Sequence, residues 1–170
     1  MPMKKRKQVD IILYRKSLLY DIANIAYIVA DSAPELDEKI RSAITDICEE
    51  GNVDRVTRIL NRAYNDLLNR LYAYTKERVL EESKIDDLFS EPLEYKIRMM
   101  VPEDFSKTTV SALGEYLHEY IVDIVLAEWL SITKKDEVAT WQEKADAALG
   151  RARSMINDRV GAIQRKLSVF

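Results

Sequence analysis

Along most of the chain, apolar residues recur every three or four positions, the spacing that lines one face of a helix. From about Val9 to Asp31 these positions are Ile11, Leu18, Ile22, Ile25 and Val29, and they predict a first helix over that span. A second helix carries Leu36, Ile40, Ala43, Ile44 and Ile47. Ser32 stands three residues before Glu35 as in a capping box, Pro34 falls in the first turn, and Gly51 supplies a stop. A third, long helix follows the candidate cap Asn52, with a seam of Val53, Val56, Leu60, Ala63, Leu67, Leu71 and Tyr74. A fourth, capped by Ser106 and running to about Ser131, places Val110, Leu113, Leu117, Ile121, Ile124 and Val125 inside. The fifth begins after the cap-like pair Thr133 and Asp136. It carries Val138, Trp141, Ala145, Ala148, Ala152, Met155 or Ile156, Val160, Ile163 and Leu167. At about 30 residues and ~1.5 Å per residue it would reach roughly 45 Å.

The period changes once. Leu93, Tyr95, Ile97, Met99 and Val101 alternate with Glu94, Lys96, Arg98 and Met100, which is a strand pattern. Pro92 and Pro102 bracket it, where a missing N–H does little harm. The whole pattern predicts an all-α fold in a single domain over residues 1–170. It is a five-helix bundle with a small β-hairpin or single strand between helices three and four (an insertion over residues 83–105) and a long C-terminal helix over 134–170. A lone strand has unpaired donors and acceptors along both edges. It pairs either with "KIDDLF" in its own chain, around "SEPL", or with another molecule by strand addition. Repeated head-to-tail contacts of that kind close a ring when the rotation per step allows.

Composition narrows the class. The 170 residues are 47% hydrophobic and 32% charged, enough for one folded core and unlike a disordered chain. Four glycines and four prolines suit long helices and argue against a sandwich or barrel. The net charge of −3 gives no global drive towards nucleic acid or anionic membrane. No apolar run reaches bilayer-spanning length. The basic start is broken by Arg15 and Lys16 without a small-residue cleavage site, so it reads as a helix entry and not as a signal peptide. The lone Cys48 excludes an internal disulfide and reads as a small buried side chain, which fits a reducing compartment such as the cytoplasm. Charge is uneven. Lys4, Lys5, Arg6 and Lys7 open the chain, residues 77–104 are acidic, and Arg151, Arg153, Arg159, Arg165 and Lys166 make the end basic again. Basic ends of one copy can therefore meet the acidic middle of another.

Catalytic signatures are scarce. His118 is the only histidine, and Glu115 stands three residues before it, half of the Glu-x-x-His pattern of di-iron bundles. The second half requires a histidine the chain does not contain, so a partly buried histidine with a local hydrogen bond is expected. Asp46, Glu50 and Gly51 echo a calcium loop, but Thr57 stands where a bidentate glutamate is needed. There is no glycine-rich phosphate loop and no paired-cysteine motif, and neither Ser111 nor Cys48 has the surroundings of an activated nucleophile. No catalytic, cofactor-binding or metal-binding residue is expected, and the chain is not expected to be an enzyme. Arg55, Arg58 and Arg62 share a helical face as a phosphate-tracking stripe would, yet Asp54 and Asp66 lie close by, so surface salt bridging is the default. The nine tyrosines sit mostly at or near apolar seams, where they pack in the core or at interfaces. Trp129 and Trp141 flank the last turn and are expected to pack across it.

The run "YKIRMMVPEDFSKTTVSALGEYLHEYIVDIVLAEW" passes from strand through Val101, Pro102, Glu103 and Asp104 into an amphipathic helix bearing Tyr116 and Tyr120. It resembles the strand–proline–helix unit of tailed-phage head–tail connector proteins, small helical adaptors that form rings under the portal. The match covers about a fifth of the chain, and the N-terminal three helices and the final helix are larger than in the usual adaptors. The resemblance implies a structural protein of the bacteriophage virion neck, assembled in the host cytoplasm as a homo-oligomeric ring that bridges portal and tail proteins. DNA would pass nearby without sequence-specific binding, and no membrane is involved. On this reading Tyr95, Ile97 and Met99 mediate subunit pairing, while Arg151, Arg153, Arg159 and Arg165 meet acidic partners. The other reading is a helical protein- or nucleic-acid-binding module of regulatory type.

Overall fold

In the computed structural model, residues 6–75, 91–103 and 105–157 are described. The elements run β1 (Arg6–Tyr14), α1 (Arg15–Asp31), α2 (Glu38–Thr45), α3 (Val53–Arg70), α4 (Tyr72–Thr75), β2 (Glu94–Pro102), α5 (Val110–Thr133) and α6 (Val138–Ile156). Short 3-10 turns at Asp46–Cys48, Lys107–Thr109 and Lys135–Glu137 lead out of α2 and into α5 and α6. The fold is mostly helical, with a two-stranded antiparallel sheet that makes it not strictly all-α.

The expected strand at residues 94–102 is present, and its partner is the start of the chain. β1 and β2 pair from Arg6 opposite Pro102, through Ile11 opposite Ile97, to Tyr14 opposite Glu94. This corrects the first helix, which begins at Arg15 and not near Val9. Ile11 fits a helical spacing with Leu18, but Val9, Ile11 and Leu13 also alternate with Gln8, Asp10, Ile12 and Tyr14. The branched Val9, Ile11 and Ile12 favour the pleated form once a partner strand exists. Pairing with "KIDDLF" lies outside the described residues.

The outer face of the sheet is held by a cross-strand charge cluster. Asp10 accepts from Lys96 at 3.1 Å and from Arg98 at 3.2 Å. Partial burial pushes the Asp10 carboxyl up, but the hydrogen bonds from Lys96 and Arg98 outweigh it and hold it below the usual carboxylate range. At one end the Arg15 N–H donates to the Leu93 carbonyl at 3.0 Å. At the other the Lys7 ammonium donates to the Phe105 carbonyl.

The inner face carries Ile11, Leu13, Tyr95, Ile97, Met99 and Val101, all buried in the one large core cluster. Helix α3 ties to β2 through two tyrosines. Tyr95 donates to Asn61 Oδ1 at 2.8 Å, and Tyr64 donates to the Lys96 carbonyl at 2.6 Å. Its seam of Val56, Leu60, Ala63, Leu67 and Leu71 is buried as the spacing predicts. The helix breaks at Leu71 into the single turn of α4, so the expected uninterrupted element ends sooner.

Helix α5 is the central element. Leu113, Leu117, Tyr120, Ile121, Val125, Leu126 and Leu130 are buried on several sides of it. Buried Ala145, Ala148 and Ala152 let α6 lie close against it. Tyr120 donates to Asp66 Oδ2 at 2.6 Å, Arg70 Nε donates to the same oxygen at 2.8 Å, and Arg153 Nη2 donates to the Arg70 carbonyl at 2.8 Å. One polar chain thus joins α5, α3 and α6.

Asn52 holds the expected N-cap position of α3, but the side chains expected to cap make other bonds. Helix α2 starts at Glu38 with Asp37 at its N-cap position, and the Ser32 hydroxyl donates back to the Val29 carbonyl at 3.0 Å. Asn52 Nδ2 donates to the Asp46 carbonyl at 2.8 Å, and the Thr133 hydroxyl bonds the Trp129 carbonyl at 3.4 Å. Helix α6 ends at Ile156, and the expected continuation over residues 158–170 lies outside the described residues.

The two faces of the sheet make a stability contrast testable. Ile97→Ala, which empties a fully buried site, is expected to cost about 2–5 kcal/mol in urea unfolding. Ile12→Ala, on the open face, is expected to cost less than about 1 kcal/mol. Equal losses would contradict the assignment of inner and outer faces.

Candidate functional site

Two surface features stand apart from ordinary packing, one at the sheet edge and one between helices. The first follows from strand order. With only β1 and β2 in the sheet, one edge of β1 has no strand partner among the described residues. A groove of about 540 Å³ is lined by Asp10, Ile11, Ile12, Leu13 and Tyr14 together with residues of α1 and α5. Five consecutive β1 residues line it and no β2 residue does, so the groove follows the free edge of the strand.

Small residues shape its other wall. Ser111 and Gly114 of α5 line it, and a Cβ built on Gly114 would stand 3.5 Å from Ile11 Cγ2. Beside the groove, Ile12 and Tyr14 are exposed. On α1, Ser17 and Asp21 reach the groove, and Tyr20, Tyr27 and Ile28 continue on the same solvent side at helical spacing. Tyr20 is 71% and Tyr27 61% exposed, an unusual outlay of aromatic surface.

The second feature is a cleft of about 650 Å³ lined by Asp21, Ile25, His118, Glu119, Val122, Asp123, Trp141, Lys144 and Arg151 from α1, α5 and α6. Asp123 is only 3% exposed, yet its Oδ2 has no hydrogen-bond partner among the described residues. Trp141 is 6% exposed, and its indole Nε1 is likewise without a partner. Each such group costs about 1–3 kcal/mol of stability. Burial, reinforced by repulsion from Glu119 and only partly offset by Lys144, pushes the Asp123 carboxyl up to about 6.

The residues singled out for chemistry resolve differently. His118 Nε2 lies 2.7 Å from Asp21 Oδ2 on α1, so its partner is distant in sequence and is not Glu115. Cys48 is half-buried, its thiol 3.5 Å from the Leu19 carbonyl, and burial pushes it up to about 11, far from an activated thiolate. Arg62 pairs with Glu128 at 2.7 Å, and Arg55 lies over the Trp129 ring. The two tryptophans face different neighbours. Trp129 Nε1 donates to the Ala43 carbonyl at 3.1 Å, while Trp141 lines the cleft under the Lys144 ammonium.

Of the expected contact residues, Tyr95, Ile97 and Met99 lie in the chain's own core. The strand alternation was right, but the alternating residues turn inward onto α3 and its neighbours. Arg151 and Arg153 are exposed, Arg151 within 3.9 Å of Glu119, and Arg159 and Arg165 lie outside the described residues. Sequence reasoning left Tyr14, Tyr20 and Tyr27 between core and interface, and the structure exposes them; the features it missed are the exposed Ile12, and Asp123. The last had a signal: it is the one charge within the apolar run Ile121–Ala127.

No helix among the described residues is long and apolar enough to cross a membrane. No family model, curated protein or solved structure matches the chain.

Asp123 makes stability depend on pH with a definite sign. Its folded value of about 6 exceeds the ordinary 3.8, so the native state holds this proton more tightly than the unfolded chain. The contribution is fully present below 3.8 and is lost as pH rises through about 6. Asp123→Asn is therefore expected to raise the urea midpoint at neutral pH and to flatten its fall across that window. Parallel pH profiles for the variant and the parent would contradict the buried carboxylate.

Proposed function

We propose that this chain is a non-enzymatic assembly protein whose copies join by adding a strand to the free edge of β1. We further propose that it acts as a head–tail connector or another neck component of a tailed-phage particle, a ring bridging portal and tail proteins. The observation that carries the first part is the groove along β1. Edge strands of monomers are usually guarded by lysine, proline or a covering segment. Here Ile12 and Tyr14 stand exposed beside an edge that opens into a groove with small residues on its far wall. An extended segment of a neighbour laid there would gain backbone hydrogen bonds and cover those side chains.

Exposed Tyr20, Tyr27 and Ile28 supply the aromatic and aliphatic area that interfaces favour. A strand given by one part of a copy and received at β1 of the next is a heterologous contact, the kind that generates rings. The receiving element is then β1, and Tyr95, Ile97 and Met99 belong to the adjoining strand β2, where they face the core. Arg151 and Arg153 at the end of α6 offer charge to an acidic partner surface, and DNA passes through the ring without base readout.

The phage assignment rests on the strand–proline–helix resemblance. The strand ends at Pro102 and a long helix bearing Tyr116 and Tyr120 follows, in keeping with that pattern. The exposed Arg55, Arg58 and Arg62 on α3 favour a second reading, a regulatory nucleic-acid-binding module.

Light scattering at rising concentration tests the first reading. The parent chain is expected to assemble, and Ile12→Lys with Tyr14→Lys is expected to leave a folded monomer with unchanged circular dichroism. Assembly that survives both lysines, or a parent that stays monomeric at its solubility limit, would overturn it. Tight duplex DNA binding that weakens steeply with salt would favour the second reading instead.

A further inference from the structure

Two buried polar atoms with opposite needs belong to residues that line the cleft between α1, α5 and α6, and neither residue lines the sheet-edge groove. An ionised Asp123 Oδ2 only accepts hydrogen bonds, and Trp141 Nε1 only donates them. Both lack partners among the described residues, and both residues line the same cleft. The other charges around it are engaged. Asp21 is bonded to His118 at 2.7 Å, Glu119 lies 3.9 Å from Arg151, and the Lys144 ammonium rests 3.8 Å above the Trp141 ring. Ile25 and Val122 add apolar wall.

We propose that this cleft binds a small zwitterion of the α-amino-acid class, its ammonium donating to Asp123 and its carboxylate accepting from the Trp141 indole. The two orphaned atoms are what select this chemistry. A simple amine leaves the indole N–H unserved. A simple carboxylate meets the ionised Asp123 with like charge. A divalent metal ion is a poorer fit, since no group of three ligating His, Cys, Asp or Glu side chains is brought together among the described residues. The cleft is large enough for a guest with a branched aliphatic side chain, which Ile25 and Val122 would receive. Lys144 is exposed, with its ammonium 3.8 Å from the centre of the Trp141 ring, and a guest that reaches the indole would displace it.

The test uses the two indole N–H signals in nitrogen-correlated NMR spectra of the full chain, with Trp141 assigned from Trp141→Phe. The probes are L-leucine, isoamylamine, which lacks the carboxylate, and 4-methylvalerate, which lacks the ammonium. The expected result is a saturable shift of the Trp141 indole by L-leucine, with the Trp129 indole unmoved. Affinity should fall at least about tenfold for each one-charge analogue, and by as much in Asp123→Asn, whose spectrum must otherwise match the parent. No shift with any probe would overturn the proposal. So would isoamylamine or 4-methylvalerate binding as tightly as L-leucine, or Asp123→Asn binding as tightly as the parent. The comparison of analogues on the parent chain decides the matter even if Asp123→Asn fails to fold.

Discussion

The pairing of residues 6–14 with residues 94–102 is the constraint on which the rest of the structure depends. It closes a loop of the whole N-terminal half of the chain, and such closure is entropically unfavourable until non-local contacts compensate. The compensation lies on one face. Ile11 and Leu13 from one strand, with Tyr95, Ile97, Met99 and Val101 from the other, form a floor on which the helices pack. A two-stranded ribbon alone is marginal in water, and packing against helices is what makes it stable. The Asp10 cluster with Lys96 and Arg98 fixes register on the opposite face. A slip by one residue would exchange the buried and exposed sets together.

The same pairing creates the surface through which the chain is proposed to assemble. Because β2 occupies one edge of β1, only the other edge is left to receive a strand, and α5 sets how much room lies beside it. Ser111 and Gly114 keep that wall low. Helix α5 thus serves two sites at once. Near its start it borders the groove, and further along His118, Glu119 and Asp123 border the cleft. His118 and Asp21 line both, and their 2.7 Å contact ties α1 to α5 between the two sites.

Asp123 is a buried carboxylate that departs from apolar packing without a visible return in stability. A buried carboxylate next to another carboxylate is unfavourable by desolvation and by repulsion, and its raised affinity for a proton expresses both. The Asp66 carboxylate shows the contrast. Burial raises it too, but hydrogen bonds from Tyr120 and Arg70 outweigh burial and hold it below the usual range. One acid is built into the polar chain that joins α3, α5 and α6, while the other faces a cleft with its Oδ2 unmatched.

The chain's amino-acid order alone determined which long segments are helical and which residues of α3, α5 and α6 turn inward. Those facts depend on spacing within a segment, and Leu60, Leu67, Leu117 and Ala148 obey it. It also determined that residues 94–102 form a strand. It did not decide what that strand pairs with, because Ile11 fits a helical seam as well as an alternating one, and only a partner strand from far along the chain favours the second. Nor did it decide that Tyr95, Ile97 and Met99 face inward: alternation defines two faces, but the helices that cover one of them are elsewhere in the sequence. The His118–Asp21 contact, the edge of β1 without a strand partner among the described residues, and the placing of Asp123 and Trp141 on one cleft were settled by tertiary structure alone. Each joins residues on elements whose relative placement arises from the packing of many side chains together.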